Sequence, residues 1–387
     1  MKAEFLPGNR LKLLNSGSEY FPQLIGAIRE ARHEVHLESY IFEDDDTGRA
    51  VADAMIGAAQ RGVIVRVLVD GFGARDFARR LQPMLVVGGV QAMIYRPEIS
   101  RFHLRRHRLR RLHRKLAVID GEVAFVGGIN VIDDLNNPER MPPRFDYAVR
   151  VEGPLLQPIN TTLHRLWELV VWARLRRRYR LVSRALRGRP EPVGSQTAAF
   201  LVRDNIRHRR DIEQAYLTAI SAARRHVLLA NAYFLPGRRF RRALRDAARR
   251  GVRVVVLLQG RVEYRLQHYA TQALYDRLLH TGVRIFEYRR SFLHAKVAVI
   301  DDHWATVGSS NIDPFSLLLA REANIVVDDE KFATELRCSL EEAMTIGARE
   351  MPIETWKRVP WYRRLLHWAS YGLVRFFVGI SGYGGKR

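Results

Sequence analysis

The sequence predicts an α/β protein of two halves related by a pseudo-twofold axis. Each half is expected to be a mixed, mostly parallel β-sheet flanked by helices, with one active site at the interface between them. Three observations predict this. The string His113-Arg-Lys-Leu-Ala-Val-Ile-Asp120 recurs 181 residues later as His294-Ala-Lys-Val-Ala-Val-Ile-Asp301. Each copy runs on, after six residues, into a glycine-led turn ending in asparagine, Gly127-Gly-Ile-Asn130 and Gly308-Ser-Ser-Asn311. Around both copies, β-branched apolar runs alternate with amphipathic stretches, the pattern of strands covered by helices. At 387 residues and 47% hydrophobic content, the chain is long enough to bury two such cores.

The elements follow in matched order. Ala27–Phe42 and Ala219–Phe234 each read as the end of a helix followed by a strand. A helical stretch then ends at Gly62 in one half and Gly251 in the other, where glycine suits the position after the last turn. The runs Val63–Val69 and Val252–Leu258 follow as buried strands. A second helix leads in each half to a short strand, Val90–Tyr95 or Val283–Tyr288. The repeat itself reads as strand, turn, strand. Leu116–Ile119 and Val297–Ile300 lead in, Asp120-Gly121 and Asp301-Asp302 turn, and Glu122–Val126 and His303–Val307 return. Tyr147–Val151 and Asn324–Val327 close the halves.

Four segments result: a first half over 1–155, a helix and Arg-rich linker over 156–197, a second half over 198–345 and an amphipathic tail over 346–387. The middle segment opens with a helical pattern over Ile159–Tyr179 and ends in Gly188-Arg-Pro-Glu-Pro-Val-Gly-Ser195, a linker composition.

Charge narrows the function. Against 41 acidic residues stand 64 basic ones, a net charge of +23, which favours polyanionic partners: nucleic acid or an anionic membrane surface. Only seven of the basic residues are Lys, yet two of them, Lys115 and Lys296, occupy equivalent positions of the repeat. A compact ammonium on a flexible stem is what those positions require. Cys338 is the single cysteine, so an intrachain disulfide is excluded. The N-terminus lacks the apolar stretch of a signal peptide, and no run approaches the roughly 18–20 apolar residues of a spanning helix, so a cytosolic protein with peripheral membrane contact is expected.

The paired residues suit phosphodiester chemistry. One histidine can attack phosphorus while a second, protonated, delivers a proton to the leaving oxygen, and the roles reverse when an incoming hydroxyl attacks the phosphohistidine. Two ammonium groups and the carboxamides of Asn130 and Asn311 can stabilise the charge gathering on the non-bridging oxygens. Strand alternation puts His113 and Lys115 on one face and Arg114 on the other, as it does His294 and Lys296 about Ala295. Asp120 and Asp301 are counted with the catalytic set as members of the motif, although their place at the turn suits a structural role better than proton transfer. The other eleven histidines show no zinc spacing, and neither a metal nor a cofactor is expected.

The pattern H-x-K-x4-D-x6-G-[GS]-x-N in duplicate resembles the signature of the phospholipase D superfamily. Ala230–Gly237, Phe286–Arg290 and the block Leu293–Val327 extend the resemblance to the bacterial cardiolipin synthases, most of all their B-type members, over roughly residues 8–345. The resemblance implies His113 as nucleophile and His294 as general acid, or the reverse. It also implies phosphate binding by Lys115, Lys296, Asn130 and Asn311. In this family a carboxylate beyond the opposite motif orients each histidine, which points to Glu322 for His113 and Asp146 for His294. The implied reaction is phosphatidyl transfer, making cardiolipin from phosphatidylglycerol with release of glycerol. Anionic phospholipids would be its partners, at the cytoplasmic face of a bacterial membrane, with nucleic acid disfavoured.

Phospholipid hydrolysis, nuclease activity, or membrane binding without turnover are the alternatives. Two Arg-rich runs free of acid, Arg101–Arg114 and Arg174–Arg189, suit anionic head groups. The aromatic and Arg-rich tail suits either an interfacial helix or a packing contact.

Overall fold

Strands and helices alternate along the chain because local caps and turns terminate each one. The computed structural model describes residues 4–73, 76–97, 111–136, 141–173, 190–204, 207–314, 316, 320–357 and 359–378. Most of the Arg101–Arg114 run, and all of Arg174–Arg189, lie outside the described residues.

The first half contributes β1 (Leu6–Asn15), β2 (Glu34–Ile41), β3 (Ile64–Gly73), β4 (Gln91–Tyr95), β5 (Lys115–Ile119), β6 (Val123–Gly127) and β7 (Tyr147–Glu152). The second contributes β8 (Gln196–Arg203), β9 (His226–Asn231), β10 (Arg253–Gln259), β11 (Arg284–Tyr288), β12 (Lys296–Ile300), β13 (Trp304–Gly308), β14 (Glu322–Asp328) and the short β15 (Ala348–Glu350). Helices Ser16–Glu30 and Asp46–Gln60 cover the outer face of the first half, and Asp211–Ala222 and Arg238–Arg249 that of the second. The equivalent helices Asp46–Gln60 and Arg238–Arg249 end alike. Gly62 and Gly251 sit at φ +89° and +87°, and the next residue's N–H donates back to Ala58 or Ala247.

The fold is α/β with mixed sheets, as the sequence suggests, but the parallel share is smaller than expected. Among the described strands only β2–β3–β4 and β9–β10–β11 pair in parallel; the other strand pairings are antiparallel, with four isolated parallel bridges outside the strands. The reason lies in the connections. Helical crossovers join the parallel strands, whereas the two strands of each motif are joined by three-residue turns that force reversal. The halves are also stitched edge to edge. β1 pairs with β8, so among the described residues hydrogen bonding runs through fifteen strands. Neither joining strand is legible in the sequence, since β1 carries Pro7, Gly8 and four basic or amide side chains that blur its alternation.

The inner faces of the two halves meet in a shared core. Leu116, Val118, Val126 and Val149 cluster there with Val297, Val299, Val307 and Ile325. Leu156–Ala173 and the helix Glu330–Gly347 flank this core.

Candidate active site

Both histidines sit two residues before a motif strand, and each is held by the opposite half. His113 N–H donates to the Arg321 carbonyl at 3.0 Å, and Arg321 N–H to that of Arg111 at 2.7 Å. In mirror fashion His294 N–H donates to the Phe145 carbonyl at 2.8 Å, and Phe145 N–H to that of Phe292 at 2.9 Å. Each bridging residue is followed by an acid. Glu322 lies 2.9 Å from His113 Nδ1, and Asp146 lies 2.6 Å from His294 Nδ1. These two carboxylates, 0% and 4% exposed, fix each ring so that Nε2 is the free nitrogen.

The lysines and asparagines close around the same space. Lys115 Nζ donates to the His113 carbonyl at 2.6 Å, Lys296 Nζ donates to the His294 carbonyl, and both ammonium groups are buried. Asn130 Oδ1 accepts the Ile41 N–H at 3.2 Å, and Asn311 Oδ1 accepts that of Tyr233 at 3.3 Å. Each carboxamide is thereby turned with its NH2 away from the strand, and both line a cavity of about 670 Å³ together with His113, His294, Asp146 and Arg111. That volume suits one or two polar head groups. A larger groove of about 820 Å³ lies elsewhere, against Trp304 and the helix Asp211–Ala222, and contains none of these groups.

Burial sets the titration behaviour. It lowers both histidines, His294 to about 4 with Lys296 adding to the effect, while the carboxylates pull the other way. Lys115 is pushed down to about 7 by burial and by Lys296 across the site, against the pull of Glu322. Burial would raise Asp146, but Lys296 and His294 overcome it and hold the carboxyl low. The site thus crowds two lysines against two histidines whose protonated forms burial disfavours. A phosphodiester anion placed among them relieves that crowding and raises both histidines and lysines.

Of the residues the sequence singled out, His113, His294, Lys115, Lys296, Asn130, Asn311, Asp146 and Glu322 come together here. Asp120 and Asp301 do not. They sit at φ +52°, on the far side of the motif strands. Asp120 accepts the N–H groups of Arg32, His33 and Glu34 at 2.7 Å each, and Asp301 those of Arg224, Arg225 and His226 at 2.7–2.9 Å. Arg114 faces away from the cavity as alternation requires and forms a buried pair with Glu38.

Some groups escaped the sequence reading. Ser309 Oγ donates to Glu322 Oε2 at 2.5 Å, whereas the matching Gly128 has no side chain because Asp146 fills that space; a Cβ there would lie 2.3 Å from its carboxylate oxygen. Tyr40 packs edge-on to His113 with centroids 4.8 Å apart, and its counterpart beside His294 is Ala232. In the space so opened stand Tyr233, Glu263 and Gln267, with Tyr233 Oη donating to Glu263 at 2.6 Å and Arg144 3.5 Å from the same carboxylate. The available signal was the set of positions where the two halves differ. Among the described residues no cluster of three or more His, Cys, Asp or Glu is placed to hold a metal ion.

A family model described as cardiolipin synthase, phospholipase D-like domain, matches residues 24–141 and 216–344, which contain both motifs. The chain belongs to this family. It is 39% identical over 383 residues to cardiolipin synthase B of Escherichia coli K12, covering 99% of this chain and 92% of that one. Cardiolipin synthase B of Salmonella typhimurium LT2 is 37% identical over the same shares. In fold the chain resembles the crystal structure of phosphatidylserine synthase from Haemophilus influenzae Rd KW20, with a TM-score of 0.69, 14% identity and coverage of 98% and 95%. No described helix is long and apolar enough to cross a membrane.

Proposed function

We propose that the protein is a phosphatidyltransferase that makes cardiolipin from two molecules of phosphatidylglycerol through a phosphohistidine intermediate. One observation carries the chemistry. Two imidazoles, each with Nδ1 held by a carboxylate of the other half, share a cavity with two asparagines, and a buried lysine donates to the carbonyl of each histidine. Names borne by full-length relatives support the lipid substrate.

In the first step His113 Nε2 attacks the donor's phosphorus. The bond from phosphorus to the glycerol oxygen breaks, and His294 supplies the proton that releases glycerol. In the second step a hydroxyl of the acceptor's glycerol gives its proton to His294, and its oxygen displaces His113 from phosphorus. Lys115, Lys296, Asn130 and Asn311 hold the non-bridging oxygens through both steps. Tyr233, Glu263 and Gln267, beside His294, are suited to hydrogen-bond the acceptor's glycerol hydroxyls. The opposite assignment of the histidines has one observation in its favour, the deeper depression of His294.

Incubation with phosphatidylglycerol vesicles, followed by lipid separation, is expected to give cardiolipin and free glycerol in equal amounts. Phosphatidic acid as the main product would replace transfer by hydrolysis. Mass spectrometry after a denaturing, mildly alkaline quench, in which a phosphorus–imidazole bond survives, locates the phosphatidyl group. The reading places it on the peptide containing His113, and label on His294 exchanges the two roles.

A further inference from the structure

The C-terminal helix Trp361–Val378 rests on the protein by a narrow seam. His367, Ser370 and Val374 are buried, 2–7% exposed, and Tyr371 is half-buried beside them. At about 100° per residue, Trp361, Leu365, Trp368, Leu373, Phe376 and Phe377 fall on the opposite side. These six are 40–76% exposed, on a half-circumference that carries no charged side chain. Arg363 and Arg375 are exposed at its two margins, and the helix contains no acidic residue. An apolar surface of this breadth, rich in Trp and Phe and edged by arginine, is the composition of a helix lying in the plane of a lipid interface.

The helix also sits beside the reaction cavity. It packs on helix Arg265–Gln272, where His367 stacks on Tyr269 with centroids 5.7 Å apart. That supporting helix carries Gln267, and is preceded by Tyr264, both of which line the cavity. Tyr264 and the neighbouring Val262 are themselves 57% and 48% exposed, so apolar surface continues from the cavity wall toward the helix.

We infer that the outward face of Trp361–Val378 inserts into the head-group region of an anionic lipid bilayer and so brings the cavity mouth to the membrane that holds its substrate. A second copy of the chain is the poorer occupant. Each copy carries +23 and would bring the same marginal arginines against one another, whereas an anionic bilayer attracts them, each favouring binding by about fivefold. The inference rests on the lipid substrate proposed above, but its primary readout is binding, which does not require turnover.

The full chain is tested by flotation with equimolar phosphatidylglycerol and phosphatidylcholine vesicles. Leu365→Glu with Phe376→Glu is expected to weaken binding about 100-fold and to lower turnover on those vesicles. Turnover on short-chain phosphatidylglycerol below its critical micelle concentration should be unchanged. The inactive His113→Ala protein should float like wild type, which separates failure of this inference from failure of the proposed reaction. Because a double variant can misfold, unmodified protein provides an independent check: brominated lipids should quench Trp361 and Trp368 fluorescence. Unchanged flotation of the double variant, or absence of quenching in vesicle-bound wild type, overturns the inference. So does a wild-type dimer that the double variant converts to monomer while vesicle binding persists.

Discussion

Replacing the aspartate of either motif tests the division between chemistry and scaffold. Asp120 ties three consecutive backbone N–H groups at the entry to β2, each at 2.7 Å. Hydrogen bonds to a charged acceptor contribute about 1.5–3 kcal/mol each when buried, and nearer 1 kcal/mol in a half-exposed loop such as this. Losing all three costs about 3 kcal/mol, and placing Ala at φ +52° adds roughly 1 kcal/mol. Asp120→Ala should therefore lose about 4 kcal/mol. Asp120→Asn keeps one acceptor oxygen and tolerates the backbone, so about 1.5 kcal/mol is expected. With an unfolding entropy of roughly 2.1 cal/mol/K per residue, cooperative unfolding of 387 residues turns these into drops in Tm of about 5 °C and 2 °C. Asp301→Ala should behave like Asp120→Ala. Its backbone donors hold the Asp301 carboxyl below the ordinary carboxylate range against the opposing effect of burial, so its contribution is present above pH ~4. That contribution is lost as pH falls through the lower folded value, and the gap from wild type should close there. Calorimetric melts and turnover per folded molecule at 25 °C are the measurements. A variant with unchanged Tm and a tenfold or greater loss of turnover would refute the structural role.

Three further outcomes are expected. Lys115, pushed down to about 7, is charged only below that pH in the free enzyme, so kcat/KM should fall as pH rises through about 7; in Lys115→Arg the guanidinium stays charged, and a slower enzyme should lose that alkaline limb. Gly128→Ala drives a Cβ into Asp146 and should cut turnover roughly 10- to 100-fold by tilting His294, while Ser309→Ala removes one of Glu322's donors and should cost roughly 3- to 10-fold; the same rate assay reverses the argument if the order inverts. Glu263→Gln should raise KM for the acceptor in a transfer assay with donor saturating and leave glycerol release in the first half-reaction unchanged; equal loss in both half-reactions contradicts an acceptor role.

The site was more legible in the sequence than the sheet. Spacing alone put His113 and Lys115 on one strand face, because period two is a local property of the chain. Asp146 and Glu322 lie outside the repeat and came only with the family resemblance, since nothing local to either residue shows that it faces a histidine of the other half. β1 and β8 were missed for a related reason: what makes them strands is pairing with distant partners, β1 with β7, β8 with β14 and the two with each other, contacts absent from local periodicity. Ser309 was in view as part of the repeat, but a serine in place of glycine carries no sign of the buried carboxylate it serves.

The crossed bridges at Arg321 and Phe145 constrain how this chain can change. A substitution that shifts Glu322 disturbs a histidine 209 positions away, and one at Asp146 disturbs a histidine 148 positions away, so neither copy of the repeat drifts without the other. Divergence is left to places that face the cavity but not the crossing, such as Tyr40 against Ala232. An ancestral duplication held in this way can specialise its two substrate approaches while its reactive machinery stays locked in step, and grafting one half from a distant relative should fail at the bridges before it fails at the motif.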